Sequence, residues 1–196
     1  MRNKAAHILS FLILLVFVSC NKDELRTPNF FVEFATVINK ESSVKIQLDN
    51  GKELIPDSSS SNLDIKDSSR VIINYTPIKD GFIKINQIQQ IFLGNIEDKN
   101  FENLNSDPIK VISIDKQGNY INISFQADYH SKPHSISLFR DTKSEENTKL
   151  YLSYSREDDP VGAPTQMYAS FKLEKLQNKP LSIFIKTYDG ERKYNR

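Results

Sequence analysis

Two groups of side chains have the types and spacing to do chemistry, and both lie in the second half of the chain. His130 and His134 are four residues apart, the spacing at which two imidazoles share one helix face and can hold a metal. Pro133 intervenes and the flanks are strand-like, so the pair is expected on a turn as two solvated imidazoles, with no metal. Arg156-Glu157-Asp158-Asp159-Pro160 gathers three carboxylates, which suit calcium, but without the ordered spacing of a calcium loop. Charged residues ahead of a proline are expected simply to solvate a turn. There is no Gly-x-Ser-x-Gly elbow and no Gly-rich phosphate loop. No catalytic residue and no cofactor are expected, and the chain reads as a non-enzyme. An acid pair assembled in space from distant residues is the one catalytic arrangement left open.

Cys20 is a different matter. It is the only cysteine, and it ends an apolar run from Ile8 to Val18 that follows the basic Arg2 and Lys4. A positive segment and a short apolar segment make a signal peptide, here residues 1–19, too short to cross a bilayer comfortably. The alternative is an uncleaved signal anchor. Val18-Ser19-Cys20 fits the lipobox of bacterial lipoproteins, in which the cysteine thiol is acylated before cleavage on its N-terminal side; Phe17 replaces the usual Leu at the first lipobox position. Acyl chains anchor at about 0.8 kcal/mol per buried methylene, so two or more hold stably. Residues 20–28 then form a lipidated tether. Lys22-Asp23-Glu24 resembles a Lys-acid-acid signal that sends some Gram-negative lipoproteins to the outer face of the outer membrane. The expected location is the outer membrane, with surface exposure as the further step.

Charge excludes one class of partner. The chain holds 26 Lys+Arg against 25 Asp+Glu, and removing Arg2 and Lys4 leaves 24 against 25. No field of one sign exists to recruit nucleic acid. With Cys20 lipidated, no thiol remains for a disulfide, a thiolate ligand or a nucleophile. Stability must come from packing.

The elements that would position any site are strands. Val44-Lys45-Ile46-Gln47-Leu48 alternates with period two, and Asp49-Asn50-Gly51 turns it into Lys52-Glu53-Leu54-Ile55, a hairpin. Val71 to Thr76 is β-branched and mostly apolar; Lys79-Asp80-Gly81 turns it into Phe82-Ile83-Lys84-Ile85. Past Asn86-Gln87 the apolar phase shifts to Ile88 and Ile91, which predicts a bulge. Residues 57–69, with four consecutive serines from Ser58, read as a mobile loop. The pattern lapses between Phe92 and Asp107, where a domain boundary is placed. Ile109–Ile114, Asn119–Ala127, Ser135–Arg140, Leu150–Ser155, Ala169–Leu173, Leu181–Tyr188 and Arg192–Tyr194 read as the strands of a sandwich. The fold class is all-β.

Several segments, taken in order, resemble the NigD-like lipoproteins. Leu48-Asp49-Asn50-Gly51, Arg70 to Thr76 and Ile83 to Ile88 look like their N-terminal domain. Asp107 to Val111, His134 to Leu138, Leu150 to Tyr154 and Ser170 to Leu173 look like the second. Asn50 departs from family habit, where Asp is common. The resemblance covers nearly the whole mature chain and implies a lipid anchor, a small OB-type barrel at 29–100 and a β-sandwich at 101–196. It also implies an association with bacteriocin operons and an immunity role.

OB barrels present an exposed strand face to ligands. Lys45, Gln47, Arg70, Asn74 and Lys84 are candidates to line such a face, with Phe82 for stacking; alternatively they merely face water. Among Tyr151, Tyr154, Tyr168 and Tyr188, parity with Leu150 and Leu152 sends Tyr154 into the core and turns Tyr151 outward, where it joins the candidate face. The leading expectation is a membrane-anchored, non-catalytic protein that binds an envelope protein or a bacteriocin. A surface carbohydrate-binding module for nutrient capture is the alternative.

Overall fold

The computed structural model describes residues 29–40, 43–59, 63–99, 106–143 and 148–196. Cys20, Lys22, Asp23 and Glu24, with the segments expected to be signal peptide and tether, lie outside the described residues.

Among the described residues, period-two segments give thirteen strands. The first five are β1 (Phe31–Lys40), β2 (Ser43–Leu48), β3 (Glu53–Pro56), β4 (Arg70–Pro77) and β5 (Phe82–Gln90), and they close into a barrel in the order β1-β2-β3-β5-β4. All pairings are antiparallel except β3 with β5. Ala35, Val37, Ile46, Leu48, Leu54, Val71, Ile73, Tyr75 and Ile83 fill the interior. The hairpin is as expected: the Gly51 N–H donates to the Leu48 carbonyl, the Leu48 N–H to the Lys52 carbonyl, and Gly51 takes φ +86°. A three-residue loop needs that positive φ to match the strand twist. The bulge is present too. Asn74 faces Gln87 and Tyr75 faces Ile85, so Asn86 is the extra residue.

The loop expected to be mobile is tied down over its described C-terminal part. Leu63 and Ile65 pack on the barrel core, the Asn39 N–H donates to the Asp67 carboxylate at 2.7 Å, and the Ser68 N–H donates to the Val37 carbonyl.

The second unit holds β6 (Phe92–Lys99), β7 (Lys110–Gln117), β8 (Tyr120–Tyr129), β9 (Ser135–Asp141), β10 (Thr148–Ser155), β11 (Ala163–Lys172), β12 (Leu181–Thr187) and β13 (Gly190–Asn195). Their order is β13-β12-β10-β9-β6-β11-β8-β7. The first half of β6 pairs with β11 and the second half with β9, so this strand passes from one layer of the sandwich to the other. Between the layers Ile121, Ile123, Phe125, Ala169 and Phe171 meet Leu138, Leu150, Leu152, Tyr154, Ile183 and Ile185. The domain boundary expected at residue 100 is therefore corrected. Phe92–Lys99 belongs to the sandwich, and the junction falls at Ile91, whose N–H still bonds the Arg70 carbonyl of the barrel.

Candidate functional site

On β8 and β11 the alternate polar side chains do not all face water. Asn122 and Ser170 are buried at positions whose neighbours Ile121, Ile123, Ala169 and Phe171 fill the sandwich core, so they point the opposite way, toward the barrel. Arg70, at the start of β4, meets them. Its guanidinium makes a bidentate pair with Asp49, Nη1 to Oδ1 at 2.6 Å and Nη2 to Oδ2 at 2.9 Å. It also donates to Asn122 Oδ1 at 3.0 Å and to Ser170 Oγ at 3.3 Å, and its carbon centre lies 3.8 Å from the Tyr120 ring centroid. The expectation of Arg70 on a solvent-exposed binding face is overturned: the residue is 1% exposed and joins the two domains. Satisfying every direction of the guanidinium fork is what makes burial of this charge tolerable.

Beside this clamp the domains part to leave a cleft of about 340 Å³. Val32, Phe34 and Ile72 line it from the barrel and Ile112 and Tyr168 from the sandwich, with Asp115, Gln117 and Gln166 among its polar lining. The Phe34 and Tyr168 rings meet edge to face at 5.9 Å across the domain junction. Val32 and Ile112 are 52% and 50% exposed, so the walls offer apolar surface to an incoming molecule. A smaller recess of about 190 Å³ shares Val32, Ile72 and Tyr168 and adds the amides of Asn74, Gln87 and Gln89.

Of the candidate face, only Asn74 reaches this region. Lys45 pairs with Glu53 at 2.7 Å, and Gln47 lines a separate groove between the hairpin and the β7–β8 turn. Phe82 and Lys84 are exposed on β5. Tyr151 does face outward from the core but stacks on Phe184 of β12, centroids 4.8 Å apart, far along the sandwich order from the barrel-facing strands. The expected residues do not form one surface. Tyr168, one of four tyrosines noted for stacking, is the one the cleft uses; its parity with Ser170 and Gln166 on β11 was the available signal.

The two imidazoles also part company. His130 is exposed, whereas His134 is nearly enclosed, its Nε2 3.0 Å from Asp159 Oδ2 and its Nδ1 bonded to the Tyr154 hydroxyl. The expectation of two solvated imidazoles fails for His134 because Asp159, 25 residues on in sequence, folds over it. Nor does the Arg156–Pro160 segment merely solvate a turn. Asp159 accepts backbone N–H bonds from His130, Ser131 and Lys132, while Asp158 pairs with Lys132 and Glu157 accepts from Ser135. Desolvation works to raise the Asp159 pKa, but the hydrogen bonds from His130, His134, Lys132 and Ser131 together outweigh it and hold the carboxyl well below the usual range. With Asp159 accepting from Nε2–H, the neutral tautomer of the ring has its lone pair on Nδ1, where it accepts from the Tyr154 O–H. This chain of groups has the order of a nucleophile relay, but its terminal residue, Tyr154, is 2% exposed, and burial pushes its pKa far up. As placed, the chain clips the β8–β9 turn onto the β10–β11 connection. Among the described residues, no three His, Cys, Asp or Glu side chains converge to hold a metal.

The seam that carries the clamp and the cleft coincides with a boundary seen in other proteins. A NigD-like N-terminal OB domain matches residues 34–91, and a NigD-like C-terminal beta sandwich domain matches residues 92–195. The chain belongs to the NigD-like family. None of the curated proteins compared matches it. Solved structures share the fold. A NigD-like immunity protein from Bacteroides caccae is 22% identical with a TM-score of 0.68, over 87% of this chain and 93% of that one. A protein from Parabacteroides distasonis described as toxin related is 24% identical, TM-score 0.71, over 85% and 92%. A Bacteroides fragilis protein described as a lipoprotein is 15% identical, TM-score 0.63, over 85% and 96%. In this NigD-like chain the cleft is thus the groove between the OB barrel and the sandwich.

Proposed function

We propose that this NigD-like chain is a non-catalytic envelope lipoprotein that binds a protein partner in the groove between its two domains. The observation that carries the reading is the cleft, with its half-exposed Val32 and Ile112, its aromatic Tyr168 and its rim of amides and Asp115. Apolar anchors ringed by polar groups are what a protein interface uses. The sequence supports the anchor, through the lipobox at Cys20, and supports delivery to the outer membrane and its surface, through Lys22-Asp23-Glu24. The lipoprotein description of the Bacteroides fragilis structure agrees with the anchor, and the immunity description of the Bacteroides caccae structure favours a bacteriocin as the partner. The buried end of the His134 relay favours a non-catalytic role.

The test is a photo-crosslinking amino acid placed at Ile112, at Val32 and, as control, at the exposed Val161 in intact cells. One common adduct from both cleft positions, absent at Val161, supports the reading. No adduct, or the same adducts from all three, sinks it. A second reading, glycan capture, is favoured by the amides of Asn74, Gln87 and Gln89 beside Tyr168. Retention on a glycan column that is lost in Tyr168→Ala would select it.

A further inference from the structure

One mouth of the barrel is apolar, and it is the mouth at which the chain enters. Phe31, the first residue of β1, pairs with Tyr75 near the end of β4; Pro77 pairs with Ile83, and the Ile78 N–H donates to the Phe82 carbonyl. The start of β1, the end of β4 and the start of β5 therefore share one end, with Ile55 of β3 beside Phe82 at its flank. Phe30, Phe31, Ile55, Ile78 and Phe82 are all large, apolar and exposed, from 38% at Ile55 to 50% at Phe31. The Phe31 ring lies stacked over Tyr75, centroids 5.6 Å apart, so the mouth is capped by aromatic surface rather than open. The opposite mouth, where Lys40 pairs with Ser43 and Asp67 receives the Asn39 N–H, is polar. A soluble surface scatters such side chains singly; five at one end form a patch that calls for an occupant.

We propose that this mouth rests on the lipid bilayer, with Phe31, Ile78 and Phe82 dipping into the interface. The inference rests on the reading of Cys20 as the lipid anchor. Residues 20–28 span at most about 30 Å when fully extended, and they join the barrel at this mouth, so of all surfaces this one is held nearest the membrane. The charges around it, Lys79 and Lys84 with Asp57, Asp80 and the Glu33 carboxylate bonded to Tyr75, leave no positive excess. Contact comes from apolar insertion alongside the acyl chains, not from attraction to anionic lipid. Aromatic and aliphatic side chains ringed by both signs of charge suit the headgroup level, where one end of a residue is wet and the other is not. Seated this way, Val32 at the edge of the cleft follows directly on the inserted Phe31, so the cleft opens close to the membrane surface.

The experiment uses the acylated full mature chain in vesicles of phosphatidylethanolamine and phosphatidylglycerol. Because acylation consumes the Cys20 thiol, Ile78→Cys, Phe82→Cys and Val161→Cys each give one site for an environment-sensitive fluorophore. Nitroxide-bearing lipids are expected to remove most of the emission at positions 78 and 82 and little at 161. A Phe31→Ser/Phe82→Ser variant carrying the Ile78→Cys probe should lose that quenching. Equal, weak quenching at all three sites overturns the inference. The mass of the N-terminal peptide reads the anchor separately: an unacylated Cys20 overturns the anchor and this inference with it, whereas an acylated Cys20 with unquenched probes overturns the seating alone.

Discussion

The Arg70 guanidinium on β4 donates to the Asn122 side-chain oxygen on β8 at 3.0 Å, and that bond crosses from barrel to sandwich. Asn122 in turn donates to Asp49 Oδ2 at 2.6 Å, so one buried carboxylate is held by both domains at once. A joint of this kind makes the angle between the domains, and hence the cleft, a fixed property of the chain.

Arg70→Ala leaves the Asp49 carboxylate buried without its counter-ion, and breaking one side of a buried pair costs about 3–5 kcal/mol. The side chains of Arg70 and Asp49 are 0% and 3% exposed, so solvent screens little of this. Urea denaturation is expected to show that loss, and Asp49→Ala with Arg70→Ala together should cost less than the two alone. Additive losses would mean the two act independently.

Two glycines separate strain from space. Gly51 takes φ +86° with open space around it, so Gly51→Ala costs about 1 kcal/mol of backbone strain. Gly118 takes φ +55°, and a Cβ there would stand 2.4 Å from the Asp49 carbonyl oxygen, where the β7–β8 turn meets the barrel hairpin. Gly118→Ala must also push the domains apart. Its melting temperature should fall further than that of Gly51→Ala; equal falls would remove the close approach as a constraint.

This contrast marks what the sequence made legible. The hairpin at Gly51, the bulge at Asn86 and the inward turn of Tyr154 follow from local parity, and all are as expected. Arg70 sits at a position of the same local kind, but a charge beside alternating apolar residues reads alike whether it faces water or another domain. Its partners Asp49, Asn122 and Ser170 lie up to 100 residues away. The lapse read from Phe92 onward hides β6 for the same reason: Gly94, Asn95 and Glu97 weaken its pattern, and its strand identity comes from β9 and β11. Gly94 itself lies where a Cβ would press the Phe92 and Phe171 rings, a requirement visible only once the layers pack.

Asp159 carries a pH dependence whose sign is set by its depressed pKa. A carboxyl whose folded value lies below its unfolded value of about 3.9 stabilises fully above that value and progressively less as pH falls below it. The wild-type protein should therefore lose melting temperature below about pH 4, and Asp159→Asn should flatten that part of the curve while lowering stability at neutral pH. Amide exchange at His130, Ser131 and Lys132, whose N–H groups the carboxylate accepts, should speed up in the same variant. Unchanged exchange at these three would dissociate the turn from Asp159.

Ile112 gives the sharpest separation of folding from binding. It projects from β7 into the cleft, half-exposed, and is no part of either core. Ile112→Asp therefore removes little buried surface and should leave stability within about 0.5 kcal/mol of wild type. Placed at the centre of an interface, the new carboxylate would be desolvated against Val32 and Ile72 without a partner. Partner affinity should drop at least about 100-fold, since losing a central anchor and burying an unpaired charge together exceed 2.8 kcal/mol. The control is Val161→Asp, at a residue 71% exposed outside the cleft, which should bind as wild type. If both variants bind normally, the partner uses another surface; if both fail, the loss reflects charge rather than place.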